Sequence, residues 1–119
     1  MTNINKLKSL VPALAAASDM PFSENDWSIN YKSDLDRQLD EDLVAFQKEI
    51  ELLAAAMAAS DLVTAACALV VVRMHALHLS NFFMNIFEDI EKVGWSEGAK
   101  IPEIPDDYEV PDFYDYKNS

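Results

Sequence analysis

His75 and His78 stand three residues apart, a spacing that sets two imidazoles on one helix face, where they could share a metal ion. Such a site needs further ligands, and Cys67 lies two turns away, about 12 Å along a helix axis. No Glu-x-x-His pair of the di-iron bundle type occurs either. No metal and no cofactor are therefore expected. Cys67 is the single cysteine, which excludes an intrachain disulfide and suits a reducing, cytoplasmic compartment. Its apolar neighbours make it read as a small core residue. Serine, histidine and aspartate are all present, but no nucleophile elbow or oxyanion glycine accompanies them. With two glycines in 119 residues, no phosphate-cradling loop is available.

The run Arg73-Met74-His75-Ala76-Leu77-His78 resembles the active-site motif of the HEPN ribonuclease family, whose domains are small and all-helical. The resemblance implies that Arg73 and His78 would activate a ribose 2′-hydroxyl and stabilise the phosphate, across a dimer. It covers six residues, and Met74 stands where that family usually has a polar residue. The overall charge points elsewhere. Nine Lys and Arg face twenty-one Asp and Glu, giving a net charge of −12 and a pI near 4.3. Such a surface repels nucleic-acid backbones and anionic membranes. Its natural partner is a protein with a basic surface, and the chain is not expected to be an enzyme.

The acid lies on either side of an apolar middle. Residues 19–51 carry a charge of −7 and residues 95–119 carry −5, against −2 for residues 52–94. In the first group Asp34, Asp36, Asp40, Glu41, Asp42, Glu49 and Glu51 are expected on a helix face turned away from its apolar stripe. Few bases offset them at i, i+4, as an ordinary exposed helix would. Spaced carboxylates of this kind can imitate the phosphates of a nucleic acid. In the second group Asp106, Asp107, Tyr108, Glu109, Asp112, Phe113, Tyr114, Asp115 and Tyr116 surround Pro105 and Pro111. Carboxylates there would meet Arg and Lys of a partner, and the rings would supply contact area at low entropic cost. The alternatives for this tail are to wrap the chain's own helices or to be disordered, against which its many aromatics count.

These residues need elements to position them. Ile4, Leu7, Leu10, Val11 and Leu14 predict a short helix over 3–18, bent or restarted at Pro12. Lys6 and Lys8 ahead of Leu10–Ala17 loosely resemble a signal peptide, but the run is short and holds Pro12, so a soluble helix is expected. Residues 19–32 read as a loop pinned by Phe22, Trp27, Ile29 and Tyr31. Ser33 is the expected N-cap of a second helix. Its stripe runs Leu35, Leu39, Leu43, Phe46, Ile50, Leu53, Met57, the a/d pattern of shallow-angle helix packing. Ser60 is the expected N-cap of a third helix, with a turn near residues 58–61. That helix runs from Asp61 to Val93 and stops at Gly94.

The first half of the third helix, Leu62 to Val72, is apolar on every side, which predicts burial on every side. One small chain is not expected to supply that cover. A homodimer or a tight hetero-complex is expected, with Leu69, Val70, Phe83 and Phe87 at the interface. The run holds 11 residues before Arg73 against about 20 for a membrane span, so no transmembrane segment is expected. The expected fold is all-α: two long antiparallel helices plus a shorter N-terminal helix over 1–94, followed by an extended acidic tail over 95–119. The expected function is protein–protein interaction. By charge and size it is analogous to phage-encoded blockers of host defence, which occupy the nucleic-acid-binding surface of a target. The alternative is an adaptor dimer built on the third helix.

Overall fold

The computed structural model describes residues 2–117; Met1 and the last two tail residues lie outside the described part. The chain is all-helical, with no strand among the described residues. A 3-10 turn, Ile4–Lys6, leads into α1, Leu7–Ala17. Pro12 sits inside α1 without ending it, so the expected restart is not seen. Residues 19–34 form an irregular loop. Helix α2, Leu35–Ala58, and helix α3, Leu62–Trp95, then pack side by side as a hairpin.

Both helix starts sit one residue later than expected. Asp34, not Ser33, caps α2 by accepting from the Arg37 backbone N–H at 3.1 Å. Asp61, not Ser60, caps α3, accepting from the Thr64 N–H at 3.0 Å and its hydroxyl at 2.6 Å. A carboxylate there satisfies an orphan donor and also opposes the positive end of the helix dipole. Ser60 has another task. It stands at φ 56°, while the Asp61 N–H reaches the Ala56 carbonyl and the Ser60 N–H the Met57 carbonyl. That is a Schellman closure of α2. Asp19 closes α1 the same way at φ 58°, with Met20 bonded back to Ala15. The turn expected near residues 58–61 is thus present, made without glycine. At the far end α3 passes Gly94 and stops at Trp95.

The core lies at one end of the hairpin. Val11, Ala15, Trp27 and Val93 form one buried cluster, and Ile29, Leu35, Leu39 and Phe82 the other. Phe22 stands edge-on to Trp27 and to Tyr31, each at 5.0 Å, so the loop aromatics pin the segment as expected. Beyond these clusters, towards the α2–α3 turn, the hairpin has no third layer. The protein is accordingly long, 57 × 37 × 24 Å, with a radius of gyration of 19.9 Å; a compact chain of this length would have about 13.5 Å.

Two expectations about burial are corrected. The row of α2 that turns inward is Leu35, Leu39, Asp42, Phe46, Glu49, Leu53, Ala56, all buried or half-buried, whereas Leu43 and Met57 are exposed. The opposing row of α3 is Ala65, Ala68, Val72, His75, Leu79, Phe82, Ile86, Asp89, Val93. Both rows step by three and four, as a packed seam requires. The first half of α3 is also not buried all round. Ala65 and Ala68 face inward, while Leu62, Val63, Leu69 and Val70 face solvent, and Cys67 is exposed rather than core. The apolar character of α3 continues past Arg73, beyond the 11-residue run. An eighteen-residue stretch of α3 has mean hydropathy 1.8 and is 11% buried, so by length and composition α3 could cross a bilayer.

Candidate interaction surfaces

Three groups of acids fall in three different environments. Asp34 and Asp36 are engaged inside the molecule. The Asp36 carboxylate accepts from the backbone N–H of Ile4 at 2.7 Å, that of Asn5 at 3.1 Å and the Thr2 hydroxyl at 3.0 Å. It therefore caps the first helical turn of the chain from across the structure. Asn5 answers: its side-chain N–H₂ donates to Asp34 and its oxygen accepts from the Leu35 N–H. The N–H of Ile4 holds the Asp36 carboxyl below the usual carboxylate range, and the Asn5 amide does the same for Asp34.

Asp42 and Glu49 form the second group. They sit half-buried in the inward row of α2, not on the face turned away from it. The third group is free to meet a partner. Asp40 and Glu51 are exposed on the outer face of α2, as is Glu41, which pairs with Arg37 at 2.9 Å in full solvent contact. Glu51 accepts from Gln47.

The tail belongs with this third group. Lys100 pairs with Asp19 at 3.3 Å and Ile101 packs on the Val11–Val93 cluster, so the chain is tied down as far as residue 101. Pro102, Glu103 and Ile104 still line a pocket with Gly94 and Trp95, whereas the 3-10 turn, Asp112–Tyr114, packs on no helix. Turns form at Pro105 and Pro111, whose carbonyls accept from the Tyr108 and Tyr114 N–H groups. Asp106, Asp107, Tyr108, Glu109, Asp112, Phe113, Tyr114, Asp115 and Tyr116 are all exposed. Phe113 and Tyr114 stack against each other at 4.3 Å. The five tail carboxylates have no basic partner among the described residues.

A further surface is the outer side of α3. Leu69, Val70, Phe83 and Phe87 all lie there, exposed to about half their area or more. Arg73 and His78, the pair singled out by the ribonuclease resemblance, are exposed on the same helix, and neither makes a hydrogen bond or ion pair among the described residues. His75 lies half-buried in the inward row. No cluster of three metal-ligating side chains exists among the described residues. The most enclosed pocket, between Ile29, Leu35 and Phe82, holds about 40 Å³, room for a water and far below a ligand site.

One group with a structural task was not singled out from the sequence. Asp89 is buried to 1% and accepts from the Ser28 and Ile29 N–H groups and the Tyr31 hydroxyl at 2.7–2.8 Å. Its position in the row Phe82, Ile86, Asp89, Val93 was the available signal: an acid on an inward-facing apolar row needs a full set of donors. Comparison with known proteins gives no match for this chain, neither a family model nor a curated protein nor a solved structure.

Proposed function

We propose that this protein is a small acidic interaction module, an antagonist that blocks a basic, nucleic-acid-binding surface of a target protein by charge mimicry. The observation that carries the reading is the tail from Pro102 onward. It exposes six carboxylates and four aromatic rings together, with no basic residue paired to them among the described residues, and its 3-10 turn packs on no helix. Carboxylates so placed make charge-assisted bonds to Arg and Lys, and the rings cover the apolar parts of the same groove. Asp40, Glu41 and Glu51 on α2 extend the negative surface. The field of such a surface speeds encounter with a basic partner and makes binding sensitive to salt.

The test is affinity capture with the full chain and with a variant in which Asp106, Asp107, Asp112 and Asp115 are changed to Asn, at low and high salt. Captured proteins are then challenged with DNA and RNA. The expected result is a basic partner, lost on raising the salt and in the variant, and displaced by nucleic acid. A partner held equally by both chains at both salts would overturn the reading. It would favour the second one, an adaptor dimer in which the acid serves solubility. The observation behind that second reading is the exposed apolar outer side of α3.

A further inference from the structure

Helix α3 has two apolar stripes. One is the inward row packed on α2. The other lies on an exposed side of the helix by helical spacing: Leu62, Leu69, Leu77, Met84, Phe87 and Trp95 project within a sector of about 80° outside the inward row. Charged residues on this outer stripe are Arg73 and Glu91, both exposed and neither bonded to a polar group among the described residues. They are 18 positions apart, five full turns, and so point the same way about 27 Å from each other.

We propose that two copies of the chain pair antiparallel through this outer stripe, about a two-fold axis close to Phe82, with Arg73 of each copy on Glu91 of the other. Area is the first argument. The chain exposes 9192 Å², whereas a compact monomer of this mass exposes about 6,500 Å². The surplus exceeds the roughly 800 Å² per partner that a stable interface needs, even with the extended tail claiming a share. Charge is the second argument. In the antiparallel register both Arg73–Glu91 pairs form, Leu77 meets Phe87 of the second copy, and Trp95 covers Leu69. A parallel pair would set Arg73 against Arg73 and Glu91 against Glu91. The acids of α2 lie on the neighbouring helix of the hairpin.

A bilayer is a poorer occupant. Helix α2 runs antiparallel beside α3, so residues 62–79 lie level with residues 42–59 of α2. Putting that part of α3 in hydrocarbon would carry Asp42, Lys48, Glu49 and Glu51 in with it, at a cost of a few kcal/mol for each charge.

Sedimentation equilibrium of the full chain tests this without any target, so its outcome is separate from that of the antagonist reading. Wild type should be a dimer that persists at high salt. Arg73→Glu and Glu91→Arg alone should each weaken the dimer by about tenfold or more. Mixed together, the two variants should form a heterodimer, because one Arg73–Glu91 pair is then native and the other is restored with its signs exchanged. That recovery also shows both variants are folded. A monomeric wild type overturns the proposal. So does a dimer indifferent to both reversals with no preference for the mixed species. Co-sedimentation of wild type with phosphatidylcholine vesicles, in place of self-association, would hand the stripe to the membrane.

Discussion

At the scale of single residues, the fold depends on carboxylates that accept from several backbone donors at once. Asp89 receives two N–H groups and a hydroxyl in a site closed to water. Asp89→Ala leaves those donors unmet, and each buried unpaired donor costs about 1–3 kcal/mol. Chemical denaturation of this variant should therefore show a loss of several kcal/mol, against about 1 kcal/mol for Tyr31→Phe. Tyr31 adds a signature in pH. Its burial, and then its bond to Asp89, raise the phenol above its ordinary value of 10.0. A group raised by folding stabilises fully below its unfolded pKa and ceases to as pH climbs toward the folded one. Wild type should thus begin to lose stability above pH 10, and Tyr31→Phe should not. At the acid end the sign reverses. The Ile4 N–H lowers the Asp36 carboxyl below 3.8, so the capping contribution is present above that value and fades as the pH drops through the folded one. Trp27 emission should report an acid transition below about pH 3.8 that is blunted in Asp36→Asn.

At the scale of elements, the phase of α2 decides which side chains matter. Leu39 is buried in the row facing α3 and Met57 is exposed. Leu39→Ala should cost about 2–5 kcal/mol and Met57→Ala less than about 0.5 kcal/mol in thermal or denaturant unfolding. Equal losses would restore the stripe read from the sequence alone. That stripe takes a large apolar residue at every step and so avoids Asp42 and Glu49; the packed seam alternates steps of four and three throughout and accepts the acids. Apolar identity was therefore a weaker guide than register. The helices themselves, the turn and the pinning aromatics were legible, because spacing, caps and ring clusters are local signals. The cross-chain bonds of Asn5, Asp36 and Asp89 were not, because their partners lie 30 or more residues away. The turn carries its own test. Ser60 sits in the left-handed region, which costs a non-glycine residue roughly 1 kcal/mol. Ser60→Gly should raise the unfolding free energy by up to about that amount.

At the scale of the whole molecule, the exposed acids gather mainly on α2 and in the tail, whereas the exposed apolar surface gathers on α3, with Glu91 as an acid on its outer stripe. Between Glu51 and Arg73 the charged residues reduce to Asp61, and the outer side of α3 is apolar from Leu62 to Trp95 but for a few positions. The tail holds to the core through Lys100 and Ile101. Two surfaces so divided should fail independently. A chain truncated after Pro102 keeps both anchors and removes six aspartates and glutamates from residue 103 onward. It should unfold at the same denaturant midpoint as the full chain and self-associate as strongly, because the core anchors are kept and the 3-10 turn packs on no helix. Capture of a basic partner should drop, and the slope of binding against salt should flatten, since fewer charges take part in the encounter. If truncation instead abolishes self-association while leaving capture intact, the roles of tail and stripe are exchanged: the tail joins the copies, and the hairpin meets the target.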